Sequence, residues 1–574
     1  MSVKTVGMKL NSKLLLWAVL VAGVTLVCFS PVLRGEFLYW DDDGLFVRNP
    51  YYRGLSPVHW QWMCSTFFFG HWQPLSWLSC ALDYKAWGMN PHGWHVTSLL
   101  LHVVNSMLVY LLCLPFLKER TGRYAAAALA ALFWAIHPLR VETAAWLATR
   151  GYLLCTTFCL LTVLFYLRAV KQKRYPLAAL LCFTLATCTK GIGMMLPAVL
   201  LLIDWAPFRR ITSVRTALSC VIEKTPFFGL SLLTGITAFL AKKSDGGMMP
   251  VEHYGLIERF GQAVYGVWFY LCKTVFPFNL APLYDKRPEP GPVMVSLALT
   301  AAAAMVLFLL RRRIRPVLIT SGAFLLLIFP MLGFTQSGTQ LFADRFTYLA
   351  AVPVSILLAA GLVLPVPMRR LICGALAALL VLFGVQTAIW AVSWNSNLTL
   401  WGRAVSVDGS NAKACNSAGL ALMDCQQYEK ALECFEKSLQ LNPSVLALHN
   451  RALALAMMGR FDEAFPDWEI ALSVPGTPSE LRAKMLWIRG WVFEQTGNLK
   501  AAENDYSSVA DDCTVDPVQR VDTLQLRAAL YERTGQKEKA LTDLETVLKL
   551  PDPFGNQWKK AQEAIRRISK AGKE

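Results

Sequence analysis

Repeated apolar blocks restrict the folds open to this chain more than any other feature of its sequence. Between Leu14 and about Trp394 the sequence is a series of stretches of roughly 17 to 25 apolar residues with few charges. A helix needs about 20 such residues to cross roughly 30 Å of hydrocarbon. A 574-residue chain that is 55% apolar and 12% aromatic is also too hydrophobic for an ordinary soluble enzyme. The sequence therefore predicts an all-α fold whose first part is a polytopic helical membrane bundle.

Charge divides the chain into two parts, for which we predict the domain boundaries 1–396 and 397–574. From residue 397 onward there are 22 Lys and Arg against 24 Asp and Glu, a net charge of −2, so the first part carries +19 when the whole chain carries +17. Its basic residues fall in short connections, which the positive-inside rule places in the cytosol. The clusters are Lys4, Lys9 and Lys13; Lys118, Arg120 and Arg123; Arg168, Lys171, Lys173 and Arg174; Arg209, Arg210 and Arg215; Arg311, Arg312, Arg313 and Arg315; Arg369 and Arg370. Since no basic stripe tracks a phosphate backbone, we expect no nucleic-acid partner.

Placing these connections in the cytosol gives a path of about eleven spans. The predicted spans are 14–33, 94–117, 124–139, 145–167, 175–189, 192–207, 225–241, 292–310, 316–335, 346–365 and 371–393. The segment 258–280 is either an interfacial or re-entrant helix or a full span, the latter if 175–207 forms one broken hairpin. Both alternatives place the aromatic-rich loop 34–93 and the C-terminal domain together outside the cytosol. The loop contains Cys64 and Cys80, and the sequence does not decide whether they form a disulfide.

The C-terminal part repeats a helix-turn-helix unit from about Trp401. Alanines 431, 464, 501 and 540 recur at intervals of 33, 37 and 39 residues, where a small side chain lets paired helices approach closely. This is the tetratricopeptide pattern, which predicts an α-solenoid. Residues 556–570 have the character of a solvating cap helix. We expect the concave groove of such an array to bind a protein or peptide acceptor, and the alternative is a purely structural appendage.

Three consecutive carboxylates, Asp41, Asp42 and Asp43, follow the first apolar block by a few residues. Adjacent carboxylates in a partly buried site raise one another's pKa, which suits a general base acting at the edge of the bilayer. Because hard divalent cations favour carboxylate oxygens, Asp41 and Asp42 are equally candidates to bind Mg²⁺ or Mn²⁺. Three adjacent acids do not all face one point, so Asp43 is expected to be solvated.

Ionisable residues near a membrane are costly and are therefore candidates for a functional site. Five of them lie on the same side of the path as the acidic loop: His137, Glu142, Arg150, Lys190 and Arg345. The three cations are expected to gather around an anionic head group, as phosphate chemistry requires. The alternative is local ion pairing, such as Glu142 with Arg140.

Several motifs in one order carry a family resemblance. They are WDDDGLFVRNP at 40–50, GHWQPLSWLSCALDYKAWGMNPHGWHVTSLLLHVVNS at 70–106, HPLRVETAAWLATR at 137–150, TKGIGMMLPAVLLLIDWAPFR at 189–209 and ADRFTYLA at 343–350. With the repeat tail, they resemble the bacterial multi-span tetratricopeptide proteins related to the transmembrane-and-tetratricopeptide O-mannosyltransferases. The resemblance covers nearly the whole chain.

This resemblance implies a glycosyltransferase of the GT-C architecture in the bacterial inner membrane. Such an enzyme transfers a sugar, mannose in the best-known relatives, with inversion from a polyprenyl phosphate donor to a protein Ser or Thr. The acidic pair of the family maps onto Asp41 and Asp42, as base or metal contact. The chain departs from the pattern at Gly151 and Tyr152, where relatives often carry a charged pair, and at Gly191, where they often carry proline.

Two other functions remain open at this point. One is a catalytically inactive relative whose spans anchor a tetratricopeptide scaffold outside the cytosol. The other is a related transferase that decorates a cell-envelope glycan or lipid. A scaffold would not need acids at the edge of the bilayer, so Asp41 and Asp42 favour an enzyme.

Overall fold

The computed structural model describes residues 12–117, 120–246, 255–334, 340–364, 367–550 and 556–570. Within these ranges the chain forms helices and one isolated antiparallel bridge, between Tyr284 and Phe342, which confirms the predicted all-α class. Two compact units meet in sequence between Arg403 and Ala404.

The first unit contains seventeen α-helices within the described ranges, and an eighteenth crosses its end. They are α1 Ser12–Phe29, α2 Pro57–Ser65, α3 Pro74–Trp87, α4 Pro91–Cys113, α5 Arg123–Ala135, α6 Val141–Ala145, α7 Arg150–Gln172, α8 Leu177–Thr187, α9 Leu196–Trp205, α10 Val214–Glu223, α11 Thr225–Ser244, α12 Leu256–Val275, α13 Pro290–Leu310, α14 Arg315–Ile328, α15 Thr347–Ala350, α16 Val352–Leu362, α17 Arg369–Val392 and α18 Asn397–Val407. Short 3-10 turns extend or join several of these helices, and a single π-helical turn, Asp43–Val47, follows the acidic pair.

Six helical segments of the described chain are long and apolar enough to cross a membrane, and two bent helix pairs raise the number to eight. The bent pairs are Arg123–Ala135 with Pro138–Ala145, and Asp344–Ala350 with Val352–Leu362, each bent by more than 50°. Three shorter apolar helices, Leu177–Thr187, Gly191–Trp205 and Arg315–Met331, coincide with the remaining predicted spans. Helix α12, at the ambiguous segment, is not among the segments that meet this test. The protein is thus a membrane protein, and its span count depends on how these shorter helices are placed.

The loop between α1 and α4 folds over a core of its own. Its buried residues are Leu45, Phe46, Tyr52, Met63, Trp77, Cys80 and Ala81, which pack with Trp94 and Leu147. Of the tryptophans in this loop, Trp77 is buried in that core, whereas Trp60 and Trp87 are exposed. Cys64 is exposed, Cys80 is buried, and both are free thiols.

The second unit continues with four antiparallel helix pairs and the predicted cap helix. The helices are α19 Ala412–Asp424, α20 Tyr428–Leu441, α21 Val445–Met457, α22 Phe461–Ser473, α23 Ser479–Gln495, α24 Leu499–Ala510, α25 Pro517–Arg533, α26 Lys537–Lys549 and α27 Asn556–Lys570. Glycines 459, 497 and 535 end the first helix of their repeats with φ near +80°, a conformation that disfavours side chains with a Cβ.

An ion-pair ladder links the two helices of each of the last three repeats. Arg451 pairs with Asp467, Arg489 with Asp505 and Arg527 with Asp543, in each case through two guanidinium nitrogens. Successive pairs are 38 residues apart, which is the true period of these repeats. The buried alanines follow the same register at 464, 502 and 540, so Ala502 replaces the predicted Ala501 at the helix contact.

Candidate active site

Asp42 is held in place by the backbone of two distant segments. Its side chain is fully buried, and its two oxygens accept hydrogen bonds from the amides of Leu38, at 3.1 Å, and Ala148, at 2.9 Å. Burial, opposed by these two amides and reinforced by the charge of Asp41, raises the pKa of Asp42 to about 8. With both oxygens engaged, Asp42 fixes the acidic loop against the turn that precedes α7.

Asp41 faces the other way, toward positive charge. Its carboxylate is half-buried and has no hydrogen-bond partner within the part of the chain that the structure describes. Burial raises its pKa, while the charges of Arg345, Lys190 and Lys242 oppose that rise. Asp43, expected to be solvated, is 26% exposed and pairs with the exposed Arg48 at 2.8 Å.

Lys190 lies in the turn between α8 and α9, with its ammonium 5.6 Å from the centre of the Tyr152 ring. Burial and the charges of Lys242 and Arg345 lower the pKa of Lys190 to about 7, while Asp41 partly opposes this shift. A neighbouring anion would favour the charged form of this lysine. We therefore expect this cluster of cations to bind a negatively charged group.

Arg345 is oriented by Glu142. The buried Glu142 carboxylate accepts the Arg345 backbone amide at 2.8 Å and also pairs with its guanidinium, so Glu142 forms an ion pair with Arg345 and not the alternative pair with Arg140. The guanidinium also donates to Gln340 and lies 5.2 Å from the Trp146 ring centre. Only 13% of the side chain is exposed, so it is held in one orientation beside Asp41.

Two predicted site residues are engaged elsewhere. Arg150 is buried, pairs with Asp83 at 2.6 Å and donates to Ser79, Ser98 and the Trp94 carbonyl. His137 donates from Nε2 to the Thr274 carbonyl at 2.9 Å and accepts the Leu139 amide on Nδ1. The Arg150 guanidinium is thus bound by four partners within the protein, and His137 has no free N–H, so neither side chain is available to a ligand in this arrangement.

The structure adds Lys242 and His71 to this cluster. Lys242 lies in the last turn of α11, where the turn at Gly70 packs so closely that an added Cβ would lie 2.9 Å from the Asp245 carboxylate. Burial, then the charges of Lys190, Lys242 and Arg345, hold the pKa of His71 well below its usual value. In the sequence, the Lys-Lys pair at 242–243 follows an apolar block and gives no direct indication of a site. Its absence from the basic clusters assigned to the cytosol is the one feature that could have pointed to it.

The acidic loop is also fixed by the first residue of α18 and by the residues just before that helix. The Asn397 side chain accepts the Tyr39 amide at 2.7 Å, and the Asn395 carbonyl accepts the Glu36 amide at 2.9 Å. Trp40 stacks on Trp146 with ring centres 4.6 Å apart. The residues just before Asp41 are therefore fixed both by backbone hydrogen bonds and by the stacking of Trp40.

The donors of this site do not fit a resident divalent cation. No group of three or more His, Cys, Asp or Glu with metal-binding geometry occurs in the described ranges, and both Asp42 oxygens already accept amide hydrogens. Asp41 alone remains, surrounded by three cationic side chains that would repel a metal ion. The arrangement instead suits a base that accepts a proton beside a bound anion.

The chain is similar to known proteins in both of its parts. Residues 412–445 match the tetratricopeptide repeat family. The chain is 38% identical over 122 residues to Protein O-mannosyl-transferase Tmtc1 of Drosophila melanogaster, covering 20% of this chain and 14% of that protein. It is 31% identical over 175 residues to Protein O-mannosyl-transferase TMTC4 of Homo sapiens, covering 27% of this chain and 24% of that protein. Each of these matches thus spans a quarter or less of the relative.

A longer and weaker similarity extends over most of the chain. Protein O-mannosyl-transferase F38B6.6 of Caenorhabditis elegans is 22% identical over 442 residues, 73% of this chain and 62% of that protein. The crystal structure of yeast Tom70 aligns over 78% of this chain and 92% of that chain at 13% identity, with a TM-score of 0.21 that is too low to indicate a shared fold. The curated relatives are thus transmembrane-and-tetratricopeptide O-mannosyl-transferases, which confirms the resemblance predicted from the motifs of this chain.

Proposed function

We propose that this membrane protein is an inverting glycosyltransferase of the GT-C type. It transfers mannose or a similar hexose from a polyprenyl phosphate donor to Ser or Thr hydroxyls of proteins outside the cytosol. The observation that carries the proposal is Asp41, a carboxylate without a hydrogen-bond partner among the described residues, facing Lys190, Lys242 and Arg345. The names of the relatives, all protein O-mannosyl-transferases, support the same activity.

In the proposed reaction Asp41 accepts the proton of the acceptor hydroxyl. The hydroxyl oxygen then attacks the anomeric carbon of the sugar, and the bond from that carbon to the phosphate oxygen breaks on the opposite face. The phosphate leaves with the bonding electrons, and its negative charge is stabilised by Lys190 and Arg345. One displacement of this kind inverts the configuration at the anomeric carbon.

The other residues act by holding these groups. Asp42 fixes the loop through two backbone amides, and Glu142 orients Arg345. The polyprenyl chain remains in the bilayer, so the site needs no nucleotide-binding fold. We infer that the tetratricopeptide unit binds the protein acceptor, as such repeats commonly bind peptides or proteins.

A reconstituted assay tests this function directly. The purified protein in lipid nanodiscs is supplied with polyprenyl-phosphate mannose, labelled in the sugar, and with Ser- and Thr-containing peptides or membrane extracts as acceptors. We expect label in protein with the wild type, loss of label with Asp41→Asn, and retention with Asp43→Asn, since Asp43 is bound by the exposed Arg48 and not by the cations near Asp41. Labelling of a glycan or lipid alone would show a cell-envelope transferase, and no labelling of any acceptor would favour the scaffold.

A further inference from the structure

A buried ion network lies far from the acidic loop. Asp204 and Lys224 are both fully buried, 2.5 Å apart, and the Tyr166 hydroxyl donates to Asp204 at 2.7 Å. Arg210 bridges Asp204 at 3.0 Å and Glu223 at 2.6 Å. The two carboxylates of this network are thus neutralised by cations of the same network.

The position of this network follows from α7. Tyr166 comes sixteen residues after Arg150, which is about 24 Å along a helix that rises 1.5 Å per residue. Helix α7 starts beside the acidic loop, because the Ala148 amide just before it binds Asp42. The network therefore lies toward the opposite end of the bundle, where α9 ends at Trp205 and α11 begins at Thr225.

Helix α10 joins those two ends and leaves an apolar face uncovered. Val214, Leu218 and Ile222, one helical turn apart, are 87%, 59% and 62% exposed, whereas Cys220 on the opposite side is buried. The helix starts with a capping box formed by Ser213 and Thr216, so its N-terminus is well defined.

Positive charge and an aromatic residue border this apolar face. Arg209 and Arg215 are exposed, and Trp205 is 47% exposed. No ion pair of either arginine occurs among the described residues, since the nearest carboxylates in sequence, Asp204 and Glu223, are bound by Arg210 and Lys224. An apolar stripe bordered by arginine and tryptophan is the pattern of a helix lying in the membrane interface.

We propose that α10 is an in-plane membrane helix that binds anionic lipid headgroups of the leaflet opposite the acidic loop. Its stripe of Val214, Leu218 and Ile222 enters the acyl-chain boundary, and Arg209 and Arg215 bind lipid phosphates. The buried Lys224–Asp204 pair fixes the helix to the bundle, so that lipid composition acts on the ends of α9 and α11.

Lipid retention tests the charge part of this proposal. The full chain is equilibrated with phosphatidylglycerol or phosphatidylcholine, and bound lipids are counted by native mass spectrometry. Each arginine replaced by glutamine is expected to lower the affinity for phosphatidylglycerol about fivefold, equivalent to ~1 kcal/mol, with phosphatidylcholine unaffected. The matched control Lys430→Gln with Lys500→Gln, in the repeat unit, should retain the wild-type preference. Equal phosphatidylglycerol binding by Arg209→Gln with Arg215→Gln and by the wild type would overturn the proposal.

Photocrosslinking tests the apolar part with the charges intact. The crosslinker p-benzoylphenylalanine replaces Leu218 in one sample and the exposed Ser219, on another side of α10, in the control. Irradiation in phosphatidylglycerol-containing nanodiscs should attach lipid acyl chains at position 218 in clear excess over position 219. Crosslinks to a second copy of the chain, or equal lipid yields at both positions, would overturn the proposal.

Discussion

Replacing the two adjacent acids one at a time should separate chemistry from structure. In Asp41→Asn no hydrogen bond among the described residues is lost, but the proposed base is removed. A general base contributes about 10²- to 10⁴-fold, so the transfer rate should fall by that factor, which corresponds to about 2.7–5.4 kcal/mol of activation free energy. The thermal unfolding midpoint should change little.

Asp42→Asn should behave differently. An asparagine has one oxygen acceptor, whereas both Asp42 oxygens accept backbone amides, so either the Leu38 or the Ala148 amide loses its partner. A buried unpartnered amide costs about 1–3 kcal/mol, which lowers the unfolding midpoint. The activity should fall as a consequence of the displaced loop, and lower temperature should partly restore it.

The pH dependence of stability supplies an independent check on Asp42. Its pKa rises from 3.8 to about 8 in the folded protein, so the folded state holds this proton more tightly than the unfolded state. The corresponding stability is fully present below pH 4 and is lost as the pH rises through about 8. In Asp42→Asn, the free energy of unfolding measured in detergent should depend less on pH over this range. Wild-type transfer by Asp41→Asn, together with an unchanged unfolding midpoint in Asp42→Asn, would refute these roles.

Four further outcomes are expected. The KM for the phosphate donor should rise as the pH increases through about 7, where Lys190 loses its proton, and Lys190→Met should remove that dependence of KM. Asn397→Ala should speed hydrogen exchange of the Tyr39 amide up to about tenfold, measured by mass spectrometry, because that amide loses its acceptor at a typical cost of about 1 kcal/mol. Arg527→Ala should destabilise the repeat unit of the full chain by about 3–5 kcal/mol by leaving a buried carboxylate unpaired, whereas Arg460→Ala, at an exposed pair, should have no measurable effect on urea unfolding. Transfer should persist in EDTA, and recovery of a lost rate by added Mg²⁺ or Mn²⁺ would contradict the metal-free site.

The sequence predicted the elements whose signals are local. Apolar blocks predicted the helices of the membrane unit because a span is defined by its own composition. The repeat unit was predicted from recurring alanines, but the assumed period was irregular at Ala501. The Arg and Asp residues of the ladder, 16 residues apart and recurring every 38, would have given the register, since they are fixed by contacts between helices of one repeat.

The site was predicted less completely because its partners come from distant segments. The positive charges of Lys190 and Arg345 lower the pKa of Asp41, while their predicted binding of an anionic head group stays a prediction. Arg150 does not contribute, since it forms an ion pair with Asp83, which lies 67 residues earlier in the chain. Composition shows that a charged residue near a membrane needs a partner, but only the tertiary structure shows whether a ligand or another side chain fills that role.

The different surroundings of the two acids determine which one can be the base. Like charges on adjacent residues disfavour double ionisation, so near neutral pH the pair retains one proton. Asp42 is fully buried and has a pKa of about 8, whereas Asp41 is half-buried beside three cations that favour its ionised form. Burial raises the pKa of both acids, but the three cations oppose the rise only at Asp41, so we infer that the shared proton resides on Asp42 and that Asp41 is the acid available as a carboxylate. Because a base must be ionised and accessible, the loop assigns proton transfer to Asp41 and leaves Asp42 to hold it in place.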